Sequence, residues 1–186
     1  MEDKINGISP TLITGSITEI SSMLYFMKHG YVVSVPQMPC LYDFLIDVDG
    51  LILRIQVKTC KEKNGKIEFN TSSTTHNSKG YTRRVYDSDA FDYFCTFYNE
   101  TCYLVPLCEC GTRAKSLRIS EARSYNKKNI CLAENYIADK ILNKIKDNMC
   151  TRGLNSTVRV PGLYPVGSGF ESLSPYQVED WSNDVK

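Results

Sequence analysis

Residues 41–59 constrain the fold of this 186-residue chain more than any other segment. Two apolar stretches there flank the dipeptide Asp49-Gly50. This arrangement predicts a β-hairpin with a two-residue type I′ turn, because both turn residues of that type need positive φ. In the register that the turn imposes, Asp43 lies directly opposite Gln56.

Side-chain alternation along the two predicted strands separates a core face from a polar face. The core face comprises Phe44, Ile46, Val48, Leu51, Leu53, Ile55 and Val57. On the other face, opposed residues have Cβ atoms roughly 4.5 to 5.5 Å apart, and diagonal neighbours lie roughly 7 to 8 Å apart. The hairpin therefore brings Asp43, Gln56 and Lys58 into one polar cluster.

A helix is predicted over residues 17–28. Ser16 and Glu19 have capping-box spacing, and Gly30 follows the last helical residues as a stop signal. Apolar residues recur at helical spacing and are expected to face the core. They are Ile20, Met23, Leu24 and Met27.

The remaining pattern predicts an α/β fold, with a central sheet of about five or more strands flanked by helices. Strands are expected over residues 31–35, 66–70, 91–98, 102–107 and 117–119, with a turn at 61–65, a polar loop at 71–84 and a helix over 132–147. Residues 1–150 are predicted to form one domain. Residues 151–186, rich in Gly, Ser and Pro and acidic at their end, are predicted to be a tail or interaction segment.

Composition excludes several classes of protein. Apolar residues make up 42% and charged residues 23%, which is typical of globular rather than disordered chains. No apolar run approaches the roughly 18 residues of a membrane span, and the N-terminus has no secretory pattern. We therefore expect an intracellular, cytoplasmic protein whose cysteines are reduced. Three of them, Cys95, Cys102 and Cys131, are expected to be core residues. Cys108 and Cys110 are too closely spaced for a usual zinc site.

The net charge of +1 hides two basic stretches. Residues 54–84 carry eight Lys or Arg against two Glu, and residues 113–128 carry six against one. Such stretches favour phosphate binding, although charge runs are often solvated surface. We predict DNA contacts at Tyr81, Arg83 and Arg84, with Lys79 secondary. His76 is a weaker candidate for a general base.

The order of these elements resembles the PD-(D/E)XK nuclease superfamily. The blocks TGSITE, GYVVSVP, YDFLIDVDGLILRIQVKT, YDSDAFDYFCTFYNETCYLVP and LRIS are similar to the branch of intron-encoded homing endonucleases and Holliday-junction-resolvase-like enzymes. The resemblance spans residues 14–140 and implies that the central β-sheet is mixed, as in the restriction-endonuclease-like core. It implies that Asp43 is the motif aspartate, Gln56 the D/E position, Lys58 the motif lysine and Glu19 the helical acid. Tyr42 stands where the motif has proline, and Gln56 replaces an acid.

The resemblance implies a metal-dependent DNA endonuclease using Mg²⁺ or Mn²⁺. Hard cations prefer oxygen ligands, and the expected set is Asp43, Gln56, the Val57 carbonyl and Glu19, with Lys58 assisting the attacking water. The expected partner is double-stranded or branched DNA, and a homodimer or larger symmetric assembly would cut both strands. A Holliday-junction resolvase, a restriction-type enzyme and an inactive DNA-binding or interaction module remain alternatives.

Each site residue also has a purely structural interpretation. Glu19 completes a capping box with Ser16 in that interpretation. Asp43 and Lys58 then form an ordinary surface ion pair, which contributes about 0 to 1 kcal/mol. The convergence of four positions on one face favours the nuclease interpretation over these alternatives.

Overall fold

The computed structural model describes residues 7–77, 80–120 and 130–151. In chain order the regular elements are helix α1 (Pro10–Lys28), strands β1 (Val32–Ser34), β2 (Phe44–Val48), β3 (Leu51–Val57), β4 (Lys61–Lys63), β5 (Lys66–Asn70), β6 (Ser72–Asn77), β7 (Gly80–Val85), β8 (Tyr93–Tyr98), β9 (Thr101–Pro106) and β10 (Ala114–Arg118), and helix α2 (Ala138–Thr151). Short 3-10 helices lie at Leu107–Glu109 and Ala133–Tyr136. Within these described parts, no helix combines the length and apolar character needed to cross a membrane.

Helix α1 begins seven residues earlier than the sequence pattern predicted. Ser9 is the N-cap, and its side chain accepts a hydrogen bond from the Leu12 amide. Pro10 follows at the first helical position, where its missing N–H costs nothing. The capping-box interpretation of Ser16 and Glu19 is therefore wrong, and Glu19 lies in the middle of the helix.

The face of α1 that packs on the sheet is also not the predicted one. Its buried residues are Thr18, Ser22, Tyr25 and Phe26. The hydroxyls of Thr18 and Ser22 donate to the carbonyls four residues earlier, both at 2.8 Å, so these polar side chains are buried with their hydrogen bonds satisfied. Ile20, Leu24 and Met27, which were expected in the core, are exposed.

The β2–β3 hairpin confirms the predicted register. Asp49 and Gly50 both have positive φ, at 52° and 92°, as a type I′ turn requires. Val48 pairs with Leu51 and Phe44 pairs with Ile55. The predicted core face is buried except at Leu51, which is half-buried.

The central sheet has the strand order β1-β2-β3-β8-β9. Strand β3 pairs antiparallel with β2 and parallel with β8, while the other neighbours are antiparallel. The fold is therefore α/β with a mixed five-stranded sheet, as the sequence predicted. The parallel pairing sets the ends of β3 and β8 side by side.

The remaining strands form two smaller sheets. One has the order β10-β5-β4, and the other is the two-stranded ribbon β6–β7. The ribbon corrects the prediction of a polar loop over residues 71–84. The ribbon is rich in Ser and Thr and has no apolar face, so its sequence lacks the alternation of apolar and polar residues by which a strand is predicted.

The elements form three layers around two cores. Helices α1 and α2 pack on one face of the central sheet, where Phe26, Phe44 and Leu142 are fully buried. Phe69 and Leu117 of the smaller sheet pack against the opposite face. Cys95 and Cys102 are buried in the first core as predicted, and Cys131 packs, half-buried, against the second.

The C-terminal helix is divided. A 3-10 turn occupies Ala133–Tyr136, Ile137 is extended and bridges Tyr103 of β9, and α2 begins only at Ala138. The single helix predicted over residues 132–147 is therefore wrong at its start and too short at its end. Of the tail predicted over residues 151–186, Thr151 is the last residue of α2, and residues 152–186 lie outside the described residues, so the tail stays a prediction.

Candidate active site

Asp43 lies at the centre of a short hydrogen-bonded cluster at the open end of the hairpin. Its amide donates to the Ile55 carbonyl at 2.8 Å, which extends the β2–β3 register by one residue. The carboxylate oxygen Oδ2 accepts the Val57 amide at 2.5 Å and the Gln56 Nε2 at 2.6 Å. Gln56 is only 8% exposed, so this contact is shielded from water.

The Gln56 side chain spans two oxygens. Its Nε2 also donates to the Val57 carbonyl at 3.2 Å, so the amide nitrogen lies between that carbonyl and the Asp43 carboxylate. Rotation by 180° about the last side-chain bond would exchange nitrogen for oxygen. The three groups would then present a carboxylate, an amide oxygen and a backbone carbonyl, which are hard donors of the kind that Mg²⁺ and Mn²⁺ bind.

Lys58 follows β3 directly and is positioned by the parallel strand. Its amide donates to the Cys95 carbonyl of β8 at 2.8 Å, and its ammonium lies 5.4 Å from the centre of the Tyr86 ring. Among the described residues Lys58 forms no direct ion pair with Asp43, so the ordinary ion-pair interpretation does not hold. Lys58 affects Asp43 through its field, lowering the pKa of that carboxyl.

Glu19 approaches the cluster from α1. The helix is joined to the end of the hairpin by a 3.1 Å hydrogen bond between the Thr18 and Thr59 hydroxyls. Burial raises the pKa of Glu19, and the nearby Asp43 raises it further, while Lys58 lowers it. The Glu19 carboxyl therefore interacts electrostatically with both Asp43 and Lys58.

Asp43 is shielded from water, which disfavours its charged form. Burial raises the pKa of Asp43 despite the Val57 amide and Lys58, which both lower it. In the described parts of the chain, no three His, Cys, Asp or Glu side chains are grouped to hold a metal. A cation here would therefore have two carboxylates at most, completed by Gln56 and the Val57 carbonyl.

The predicted DNA-contact residues lie on or next to the β6–β7 ribbon. Tyr81 is 64% exposed, and Arg84 is exposed on the opposite face of β7 from Arg83. The Arg83 guanidinium is hydrogen-bonded within the protein: it donates to the Ser72 hydroxyl at 2.8 Å and to the Thr112 carbonyl at 2.6 Å. Lys79 and the His76 side chain lie outside the described residues.

Three cations form a row that the sequence did not predict. Arg118, Lys66 and Lys63 are directly paired across β10, β5 and β4 and so share one face. Lys63 and Lys66, with Lys61 and Thr59, line a groove of about 460 Å³. Their shared location depends on pairing between strands some 50 residues apart, so only the overall basic charge was visible beforehand.

A family model described as PD-(D/E)XK endonuclease matches residues 10–139. The fold is similar to the solved structure of a bacterial homing endonuclease, I-Ssp6803I, with a TM-score of 0.61 and 23% sequence identity, covering 75% of this chain and 97% of that one. No curated protein matches the sequence.

Proposed function

The chain belongs to the PD-(D/E)XK endonuclease family, and we propose that it cleaves DNA with a divalent cation, Mg²⁺ or Mn²⁺, as a homing-type enzyme. One observation carries the proposal. The Asp43 carboxylate, the Gln56 amide and the Val57 carbonyl meet within hydrogen-bond distance beside Lys58. Glu19 supplies the second carboxylate near the same point.

The residues at this point fit a hard cation. When bound, such an ion neutralises phosphate charge and lowers the pKa of water. Asp43 supplies the formal negative charge, and the Val57 carbonyl supplies an oxygen fixed by the sheet. Gln56 supplies its amide oxygen after rotating away from its present donor contact with Asp43.

Lys58 and Glu19 act on the reacting groups. The Lys58 ammonium stabilises charge on the scissile phosphate and orients the attacking water, and the Tyr86 ring restricts where that ammonium can lie. Glu19 accepts a hydrogen bond from the same water, and the raised pKa of its carboxyl makes it a better proton acceptor than an exposed glutamate. The role of Glu19 requires α1 to lie beside the end of the hairpin, where the Thr18 and Thr59 hydroxyls are hydrogen-bonded.

The cation row supports a DNA substrate. Like charges directly opposed across strands are unfavourable, and Lys63–Lys66 and Lys66–Arg118 are such pairs. An anion between them relieves the repulsion, and DNA supplies phosphates at the required density. The groove beside this row is lined in part by Thr59, one residue from Lys58, so a bound backbone passes close to the candidate site.

The finer identity of the enzyme is tested with three substrates. Plasmid, long genomic DNA and a synthetic four-way junction are each incubated with the protein and Mg²⁺. A homing-type enzyme gives few discrete products from long DNA and leaves the junction intact. Cleavage of the junction would identify a resolvase, and frequent cutting of long DNA would identify a restriction-type enzyme. A protein that binds DNA but cleaves none of the substrates would be an inactive module.

Replacing Asp43 tests the mechanism itself. We expect Asp43→Ala to slow cleavage by at least about 100-fold, as loss of a group that stabilises the transition state typically does, while DNA affinity changes little. Cleavage by gel assay and binding by fluorescence anisotropy separate the two effects. Wild-type rates for this variant, or undiminished cleavage by the native chain in excess chelator, would disprove the proposed chemistry.

A further inference from the structure

Helix α1 is packed against the sheet through its second half. Tyr25 and Phe26 are buried there, and the centre of the Phe26 ring lies 5.8 Å from that of Phe44 in β2. Thr18 is the first buried residue of the helix, and Glu19 follows it directly. Glu19 therefore lies at the boundary between the largely exposed first turns of α1 and its packed second half.

Two threonine hydroxyls join this boundary to the end of the hairpin. Thr18 Oγ1 lies 3.1 Å from Thr59 Oγ1, and we call this contact the hydroxyl pair. Thr18 also donates to the Thr14 carbonyl at 2.8 Å. A hydroxyl has a single hydrogen to donate, so the hydrogen between the two threonines comes from Thr59. The Thr18 hydroxyl is thereby oriented by its own helix and is the acceptor for the hairpin.

The hydroxyl pair lies beside two charged residues of the candidate site. Glu19 follows Thr18 along α1, and Lys58 precedes Thr59 after the end of β3. Strand β3 ends at Val57. The segment after it is held by the Lys58 amide, which bonds to β8, and by the Thr59 hydroxyl, which bonds to α1. The contact between the two threonines therefore joins the neighbours of Glu19 and Lys58 directly.

We propose that Thr18 and Thr59 are positioning residues for DNA cleavage, because the hydroxyl pair fixes the location of Glu19 relative to Lys58. This assignment rests on the proposed function, in which Glu19 and Lys58 act on the same water. Neither threonine touches the reacting atoms in this role. Their effect is geometric, and a displacement of about 1 Å in a reacting group can slow a reaction about 100-fold.

The surroundings of the two threonines separate this role from a purely stabilising one. Thr18 is 8% exposed, whereas Thr59 is exposed at the wall of the groove. Valine at position 18 has the same branched shape as threonine, and the exposed Thr59 hydroxyl can then bind water instead. We therefore expect the fold to survive Thr18→Val, while the distance between Glu19 and Lys58 is no longer fixed.

The test measures cleavage rate and DNA affinity separately on the full chain. Thr18→Val should lower the single-turnover rate at saturating DNA and Mg²⁺ by about 10 to 100-fold, while the DNA affinity in fluorescence anisotropy stays nearly unchanged. Thr18→Ser should keep most of the native rate, because it retains the hydroxyl. A loss of rate without a loss of affinity, rescued by serine, is expected of a positioning residue, whereas a loosened fold would weaken both quantities.

Thr14→Val is the matched control. Thr14 is exposed one turn earlier on the same helix, and its hydroxyl donates to the Pro10 carbonyl at 2.9 Å. The same chemical change there leaves the hydroxyl pair intact, so the cleavage rate should not change. Thr59→Val removes the hydroxyl pair from the hairpin side. The double change of Thr18 and Thr59 should be no slower than the slower single change, since both remove one hydrogen bond.

Amide NMR spectra of the metal-free chain test the contact without cleavage. Thr18→Val should shift the Lys58 and Thr59 signals, and Thr14→Val should leave them in place. If the native chain cleaves no DNA, the proposed function fails, whereas unshifted Lys58 and Thr59 signals in Thr18→Val would overturn the hydroxyl pair itself. With cleavage established, a native rate for Thr18→Val, an equal loss in Thr14→Val, or no rescue by Thr18→Ser would overturn the positioning role.

Discussion

Replacing Gln56 with glutamate perturbs the candidate site where it departs from the acidic motif of its family. In the native chain the Gln56 Nε2 donates to the Asp43 carboxylate at 2.6 Å. Gln56→Glu removes that donor and places a second carboxylate against the first. Without a cation this variant should be less stable than the native chain, and a cation should restore it.

The magnitude follows from two contributions. A hydrogen bond to a charged group contributes about 1.5 to 3 kcal/mol. Two unit charges 4 Å apart repel by about 4 kcal/mol at an effective dielectric constant of 20, although the pair limits this cost by sharing a proton. A net loss of about 3 kcal/mol would lower the Tm of a chain of this size by roughly 6 to 12 °C.

Gln56→Leu is the matched control for this loss. It removes the same hydrogen bond without adding charge, so we expect only the hydrogen-bond part of the loss, about 1.5 to 3 kcal/mol, with no repulsion added. A bound cation should stabilise the Glu variant most and the Leu variant least. Saturation at 100 times Kd contributes about 2.7 kcal/mol to stability, which is readily measured.

The assay is thermal unfolding of each protein without DNA, in chelator and across an Mg²⁺ titration, followed by cleavage rates over the same titration. The Glu variant should bind Mg²⁺ with a lower midpoint and keep some cleavage, while the Leu variant loses cleavage. Equal Tm values for the Glu variant and the native chain in chelator would refute the contact with Asp43. Native cleavage by the Leu variant at an unchanged midpoint would remove Gln56 from the cation site.

Three further changes test the surroundings of the site. Arg84→Ala should reduce the slope of log binding constant against log salt concentration by about one unit. Arg83→Ala should mainly destabilise the β6–β7 ribbon. Salt titrations of DNA binding and unfolding curves separate these two effects. Lys66→Ala should weaken DNA binding without lowering the Tm, because it relieves repulsion within the cation row. Lys144→Ala, at an exposed position on α2, is the control and should change neither quantity. If fluorescence anisotropy shows equal effects of the two changes on DNA binding, the cation row does not bind DNA. Asp92→Ala should cost about 3 to 5 kcal/mol in urea unfolding, because it removes the carboxylate that binds the partly buried Arg54 guanidinium at 2.9 Å.

The hairpin and its polar face were predictable because their determinants are local. Asp49-Gly50 determines the register, and side-chain alternation then determines which residues share a face. No distant contact is needed to bring Asp43 and Gln56 together. The approximate number of strands was predictable for the same reason, since the strands are short apolar runs with clear boundaries, whereas the mixed character of the central sheet followed only from the family resemblance.

The features that were missed depend on tertiary contacts. The apolar side of α1 was assigned to the core, but the sheet is covered by Thr18 and Ser22, whose hydroxyls bond to their own helix. Ile137 interrupts a helical pattern because it pairs with Tyr103. The cation row requires β10 to lie beside β5, which nothing in the spacing of Arg118 and Lys66 reveals.

The location of three oxygen donors on one hairpin bears on the order in which the chain folds. A hairpin closes in about 1 to 10 µs, whereas the parallel pairing of β3 with β8 joins Ile55 to Tyr93 and requires closure of a much longer loop. We therefore expect Asp43, Gln56 and Val57 to meet early and Lys58 to be positioned only when Cys95 arrives with β8. A chain caught between these steps holds the ligands for a cation but lacks a positioned lysine, so capture of the ion can precede competence to cut.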